Sequence, residues 1–225
     1  MIPFHIAKPQ GCDIQIYYGN DSTGNNSTQA SPWQVWNKPA GVSHIYMLLI
    51  GAGGNGRSTQ SGGSGAITVW YGAAQHVPNS LRLLAANNSS GNPRTIVAYL
   101  DTTSDGLLYA DMATNITAGA AMTANNFTAS GFFQSTAGQN GVTVGAPSAS
   151  PTTFLSAGAF NGSPSANYGY IGTTASSGYF MMQPIIVGRG AGSAGAAKVT
   201  AAYGCGAGSN AGAPGGPGLI LIASW

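Results

Sequence analysis

Between Gly51 and Gly65 the chain runs Gly-Ala-Gly-Gly-Asn-Gly-Arg-Ser-Thr-Gln-Ser-Gly-Gly-Ser-Gly, and a second, longer stretch from Gly188 to Gly218 is also rich in glycine. Such segments have few side chains to bury, and glycine loses more backbone freedom on ordering than any other residue. They order only where backbone lies on backbone or where neighbouring chains cover them, as wide loops or as stacked extended helices of the polyproline type. With 35 Gly and 12 Pro among 225 residues, this constraint governs any fold the chain adopts.

Charge narrows the choice further. Charged residues make up 5% of the chain, against roughly 25% in ordinary globular domains. All five acids are aspartates, Asp13, Asp21, Asp101, Asp105 and Asp111, and there is no glutamate. Amphipathic helices carry Glu and Lys on their wet face, so a helical bundle or coiled coil is excluded. Disorder is excluded too, because 43% of residues are hydrophobic and the net charge is only +2. A surface built from Asn, Ser and Thr repels its neighbours weakly, which favours a member of an assembly. The seven bases, Lys8, Lys38, Arg57, Arg82, Arg94, Arg189 and Lys198, form no cluster, so nucleic acid is not an expected partner. No segment has the apolar length of a signal peptide or a membrane span, so neither cleaved export nor membrane insertion is expected. Cys12 and Cys205 are expected as free thiols.

Short runs rich in β-branched and aromatic residues, bounded by Gly, Asn or Pro, recur along the whole chain. They predict strands near Asp13–Tyr18, Gln34–Trp36, Ser43–Ile50, Ala66–Tyr71, Leu81–Ala85, Thr95–Leu100, Leu107–Ala110, Gly131–Gln134, Val142–Val144, Thr153–Leu155, Tyr179–Val187, Lys198–Tyr203 and Leu219–Ala223. The segment Asp111–Thr128, rich in alanine but broken by Gly119 and Asn125-Asn126, is expected as loop or a single turn. The fold class is therefore all-β: a jelly-roll-like sandwich with long Gly-rich loops. Residues 1–32 are expected as an N-terminal arm and exposed loop packed on a single domain, residues 33–225.

Several motifs imitate catalytic or binding sites. Gly51-Ala52-Gly53-Gly54-Asn55-Gly56 fits a dinucleotide fingerprint, but no helix can follow it and no acid stands near the required position, so no cofactor is expected. Ser43 adjoins His44, yet neighbours on a strand point to opposite faces, so this pair is not expected to act together. Asp105-Gly106 reads as a hairpin turn rather than half of a glycosidase pair with Asp101 or Asp111, and the same cluster fits no calcium loop. Cys12 and Cys205 lack ligand-spaced partners for zinc, so neither a metal nor a catalytic residue is expected. Trp36, Trp70 and Trp225 are assigned to the core. Tyr168 and Tyr170, with Asn161 and Asn167 around them, form the candidate glycan or receptor contact.

Three pieces of sequence carry a resemblance: Trp36-Asn37-Lys38-Pro39-Ala40-Gly41-Val42 followed by Ser43–Ile50 and Gly51-Ala52-Gly53-Gly54; then Gly62-Gly63-Ser64-Gly65-Ala66; and Gly212-Ala213-Pro214-Gly215-Gly216-Pro217-Gly218 followed by Leu219–Ile222. Together they resemble the glycine-rich domain of bacteriophage virion proteins, especially tail fibres and related surface appendages. The resemblance implies a non-enzymatic component of the virion surface, assembled in the host cytoplasm. Because the chain has no long shaft and no trimerising coiled coil, a capsid decoration, spike or short fibre is expected, with a fibre-tip adhesin recognising host-surface polysaccharide as the alternative. Contacts to other virion proteins and a homotrimer are expected, with Gly53, Gly54, Gly63, Gly215 and Gly216 as assembly contacts, because glycines without side chains order well between chains.

Overall fold

The computed structural model describes residues 12–19, 32–57, 62–87, 94–101, 106–138, 140–141, 180–182, 185–188, 203–204, 206 and 215–225. The chain is an all-β sandwich of two antiparallel sheets. Its strands are β1 (Asp13–Tyr18), β2 (Gln34–Asn37), β3 (His44–Ile50), β4 (Ile67–Ala73), β5 (Ser80–Leu84), β6 (Arg94–Tyr99), β7 (Gly106–Asp111), β8 (Gly131–Thr136), β9 (Phe180–Met182), β10 (Ile185–Gly188) and β11 (Leu219–Ser224). One sheet has the order β1-β11-β3-β4-β8 and the other β2-β5-β6-β7, while β9 and β10 pair with each other. The run Tyr179–Val187, expected as one strand, is thus two short strands that pair antiparallel, Ile185 opposite Met182. Val142–Val144 and Thr153–Leu155 lie outside the described residues, as does 198–202; Tyr203 is in a turn. The segment Asp111–Thr128 contains no helix, only an isolated bridge between Thr114 and Thr117 and a following 3-10 turn, Thr128–Ser130.

The core between the sheets joins Ile45, Met47, Leu49, Trp70, Ile220 and Ile222 to Trp36, Leu81, Leu83, Val97 and Leu108. The alternate residues of the same strands, Leu48, Ile50, Ile67, Val69, Leu219 and Leu221, form a second buried cluster on the opposite face of the five-stranded sheet, with Cys12, whose thiol is free, and the partly buried Tyr203. This explains why β3 and β11 read as unbroken apolar runs: strands buried on both faces have no wet side to mark with polar residues. Thr68, fully buried, stitches the two sheets, its hydroxyl donating to the Tyr109 carbonyl at 2.6 Å.

The strands of the two sheets run between the same two ends of the sandwich. At one end the chain leaves β3 and β7 and enters β4, β6 and β11, and there the glycine segments meet. Around residues 51–54 each backbone group reaches a different neighbour. Gly51 N–H donates to Ala66, the Ala52 carbonyl accepts from Ala113, Gly53 N–H donates to Gly216, and Gly54 N–H returns to Gly63. The direction repeats after three residues, as it does again where Gly63 and Ala66 both donate into residues 111–115 while Gly65 donates to Gly204. A strand would repeat after two; about three residues per turn, with every bond aimed outward, is the polyproline II pattern. These segments therefore stack as extended helices whose backbones bond one another, and 51–54, 62–66 and 215–218 are buried.

Thr95 anchors this end to the core. Its buried hydroxyl donates to the Ile50 carbonyl at 2.7 Å and accepts from the Ala86 N–H at 3.0 Å. Thr95→Val keeps the shape but leaves the Ala86 N–H unpaired, and it is expected to lower the unfolding free energy by about 1–3 kcal/mol, read by urea denaturation. An unchanged midpoint would show that the anchor is dispensable.

Candidate functional site

The other end of the sandwich is built from aromatic and neutral polar residues. His44 opens β3, Tyr71 lies near the end of β4, and Trp225 follows β11, held by hydrogen bonds between its backbone and that of His44 and Ser43. Their rings are nearly parallel, with interplanar angles of 15–20° and centroid separations of 5.7, 5.8 and 6.2 Å. Near-equal spacings cannot arise in a face-to-face column, so the rings lie offset, like tiles. Trp225, assigned to the core from sequence, is only partly buried: it packs against the second cluster and also belongs to this platform, while Trp36 and Trp70 are buried as expected. Across the same face the register sets Tyr46 beside Tyr71 and Tyr71 beside Phe132, which is 60% exposed.

Ser43 and His44 do come together, with Oγ 3.0 Å from Nδ1. Adjacent residues meet here because β3 begins only at His44, so Ser43 is not bound by strand geometry. The Ser43 hydroxyl also lies within hydrogen-bonding distance of the Trp225 carbonyl, and the imidazole is flanked by the Tyr71 and Trp225 rings. The pair is thus built into the aromatic platform.

At the same end of the sandwich, an open cleft of about 460 Å³ is lined by His76, Tyr99, Gly106, Leu107, Asn125, Asn126, Phe127 and Ser130. Four separate stretches supply it: the 3-10 turn Ala74–His76, the end of β6, the start of β7 and the turn before β8. One wall is fixed by bonds within the chain. The Asn125 side chain accepts from the Thr128 N–H at 3.0 Å and donates to the Leu107 carbonyl at 3.0 Å, while the Thr128 hydroxyl donates to the Asn125 carbonyl and accepts from its N–H. Phe127 stacks on Trp70 with centroids 4.8 Å apart. Lys38 ties the adjoining turn to β2 by donating to the Ala74 and Val77 carbonyls. Among the described residues no carboxylate, lysine or arginine lines the cleft.

Elsewhere, Arg82 lies over the Trp33 ring at 4.5 Å, and Arg94 covers Tyr109 at 4.4 Å while pairing with Asp111. Asp111 is thereby committed to a structural ion pair. β6 and β7 pair as the expected hairpin, but Gly106, expected in its turn, is the first residue of β7 and stands opposite Ala98; Asp101 lies in a turn and Asp105 outside the described residues. Among the described residues no three His, Cys, Asp or Glu side chains converge to hold a metal ion.

Tyr168, Tyr170, Asn161 and Asn167 lie outside the described residues. Gly53, Gly54, Gly63, Gly215 and Gly216 are buried inside a single chain, against its own backbone. The cleft residues escape sequence reasoning, in which Asn125-Asn126 figures only as a helix breaker; two amides beside a phenylalanine at a chain reversal are the available signal. The sequence matches no protein-family model, and no curated protein is significantly similar to it.

Burial pushes the Tyr46 hydroxyl from its ordinary 10.0 up to about 12, and Tyr17 moves in the same direction through burial first and the nearby Asp13 carboxylate second. The fold favours the neutral phenols, so their contribution to stability is complete below pH 10.0 and is lost as pH rises through about 12 for Tyr46. Tyr46→Phe is expected to flatten the fall of melting temperature over that window; an identical alkaline profile would refute the assignment.

Proposed function

We propose that this chain is a non-enzymatic structural protein of a bacteriophage particle surface, as a capsid decoration, spike or short fibre assembled in the host cytoplasm. The observation that carries the reading is the stacked glycine lattice at one end of the sandwich. It falls on the residues that resemble glycine-rich virion domains: Gly51–Gly54, Gly62–Ala66 and Gly215–Gly218. A block held by backbone bonds and burying few side chains orders without the charged surface that soluble enzymes carry, and a chain with 5% charged residues repels identical neighbours weakly.

The described glycine segments bond one another within one chain, and the homotrimer remains part of this proposal. Self-association and contact with other virion proteins therefore rest on the low charge and on exposed apolar side chains such as Phe132 and Val35. A second reading, a fibre-tip adhesin recognising host-surface polysaccharide, is favoured by the aromatic end.

Quantitative mass spectrometry of purified virions tests the proposal. Hundreds of copies per particle are expected for a capsid decoration, and a few to a few tens for a spike or fibre tip. Absence of the chain from the particle would overturn both readings.

A further inference from the structure

We propose that the cleft lined by Tyr99, Phe127, His76, Asn125, Asn126 and Ser130 binds a neutral hexose ring, as the end or a branch of an uncharged saccharide. The inference stands on the cleft alone and holds whether or not the chain is a virion protein.

A pyranose presents an apolar face of C–H groups and a rim of hydroxyls, so its site needs an aromatic surface beside neutral donors and acceptors. The negative face of an aromatic ring attracts the polarised C–H groups, and tyrosine adds a hydroxyl at the edge of the same contact. Tyr99 is 44% exposed although its strand neighbours Val97 and Ala98 are buried, so its ring stands out at the rim of the cleft. Phe127 forms another side, fixed by its stack on Trp70.

The polar groups suit the rim of a sugar. Asn125 is held at both ends of its amide by Thr128 and Leu107, yet an amide has two N–H groups and two lone pairs on oxygen, so one of each remains. Asn126, His76 and the Tyr99 hydroxyl have no hydrogen-bond partner among the described residues and lie at the same opening. These groups donate and accept, which hydroxyls require. Because Asn125 and Phe127 are held by contacts within the chain, binding orders little of that wall.

The lining also argues against other occupants. An acidic sugar or a phosphate calls for Arg or Lys, and a cation for carboxylates, and none of these is among the described residues that line the cleft. A wholly apolar peptide face would leave the amides buried and unpaired. The volume of about 460 Å³ falls within the range of small-ligand sites, roughly 300–1,000 Å³.

The test is an NMR titration of the full chain with the methyl glycosides of glucose, galactose, mannose and N-acetylglucosamine, with N-acetylneuraminic acid and glucuronate as acidic controls. At least one neutral glycoside is expected to shift the backbone amides of Tyr99, Gly106 and Asn126 in a saturable manner. Tyr99→Ala is expected to weaken that binding about three- to tenfold, the worth of one aromatic contact. Ile14→Ala, exposed on the edge strand β1 of the larger sheet, is expected to leave that binding unchanged. His76→Ala, on an exposed turn, is the second variant should Tyr99→Ala lower the melting temperature. Binding of acidic sugars only, no response to any neutral glycoside at tens of millimolar, or shifts mapping to the His44–Trp225 platform instead would each overturn the proposal.

Discussion

Gly54→Ala or Gly65→Ala is expected to cost more than about 3 kcal/mol, a large share of the 5–15 kcal/mol that holds a typical domain folded. At Gly54 a methyl group would overlap the Asn115 carbonyl oxygen, and at Gly65 it would overlap the Gly51 carbonyl. In both cases the obstacle is backbone, so no side chain can swing aside, and separating the segments breaks the bond that joins them, from Ala113 N–H to the Ala52 carbonyl in the first case and from Gly51 N–H to the Ala66 carbonyl in the second. Overpacking alone costs about 1–3 kcal/mol, and each backbone pair lost to a dry interior adds about 1–3 kcal/mol. Gly41→Ala separates this effect from ordinary glycine replacement. Gly41 has φ +79, and a methyl group there would meet nothing within 4 Å, so alanine suffers only backbone strain, about 1–2 kcal/mol. Urea denaturation followed by tryptophan fluorescence should therefore rank both lattice variants well below Gly41→Ala. A Gly54→Ala protein as stable as the parent would mean that the stacked lattice does not hold this end of the molecule together.

That lattice marks the boundary of what could be read from the sequence. The strands were legible because their signals are local. Ser43–Ile50 and Leu219–Ala223 are apolar runs of strand length between turn residues, and both are central strands of the larger sheet. The division of Tyr179–Val187 into two strands had a local signal as well, since Pro184 interrupts the run and proline cannot continue a ladder. The glycine segments are different. Which carbonyl accepts from Gly54 or Gly65 depends on residues 9 and 139 positions away, and glycine carries no side chain to advertise the pairing. Trp225 departs from its expected place for a related reason. Its size suggests full burial, but it sits one residue beyond β11, where the sheet ends, so its ring is only partly covered, by the second cluster and by His44 and Tyr71. The cleft was hidden by its construction from four distant stretches, each unremarkable alone; Tyr99 reads as an ordinary strand residue until β6 is seen to end at the opening.

Trp70→Ala is expected to cost about 3–5 kcal/mol, as for other buried aromatic truncations, and to disable the cleft at the same time. The indole is fully buried and its place is prepared by two glycines. Gly72 and Gly131 face each other across β4 and β8, and a Cβ at Gly72 would come within 2.5 Å of the Trp70 ring, one at Gly131 within 2.9 Å. The ring thus covers a side-chain-free pair in the sheet while Phe127 stacks against it. Removing the ring exposes that glycine pair and takes away the surface that orients Phe127. The indole N–H has no partner among the described residues, so the loss is one of packing rather than of a hydrogen bond. Trp70→Phe separates the two terms: it restores an aromatic ring, removes the unpaired N–H and leaves a smaller void, so it should recover more than half of the lost stability and keep Phe127 in place. Equal destabilisation by Trp70→Ala and Trp70→Phe would show that the indole N–H contributes after all. A stable Trp70→Ala protein with an unchanged Phe127 environment by NMR would detach the cleft from the core on which its geometry depends.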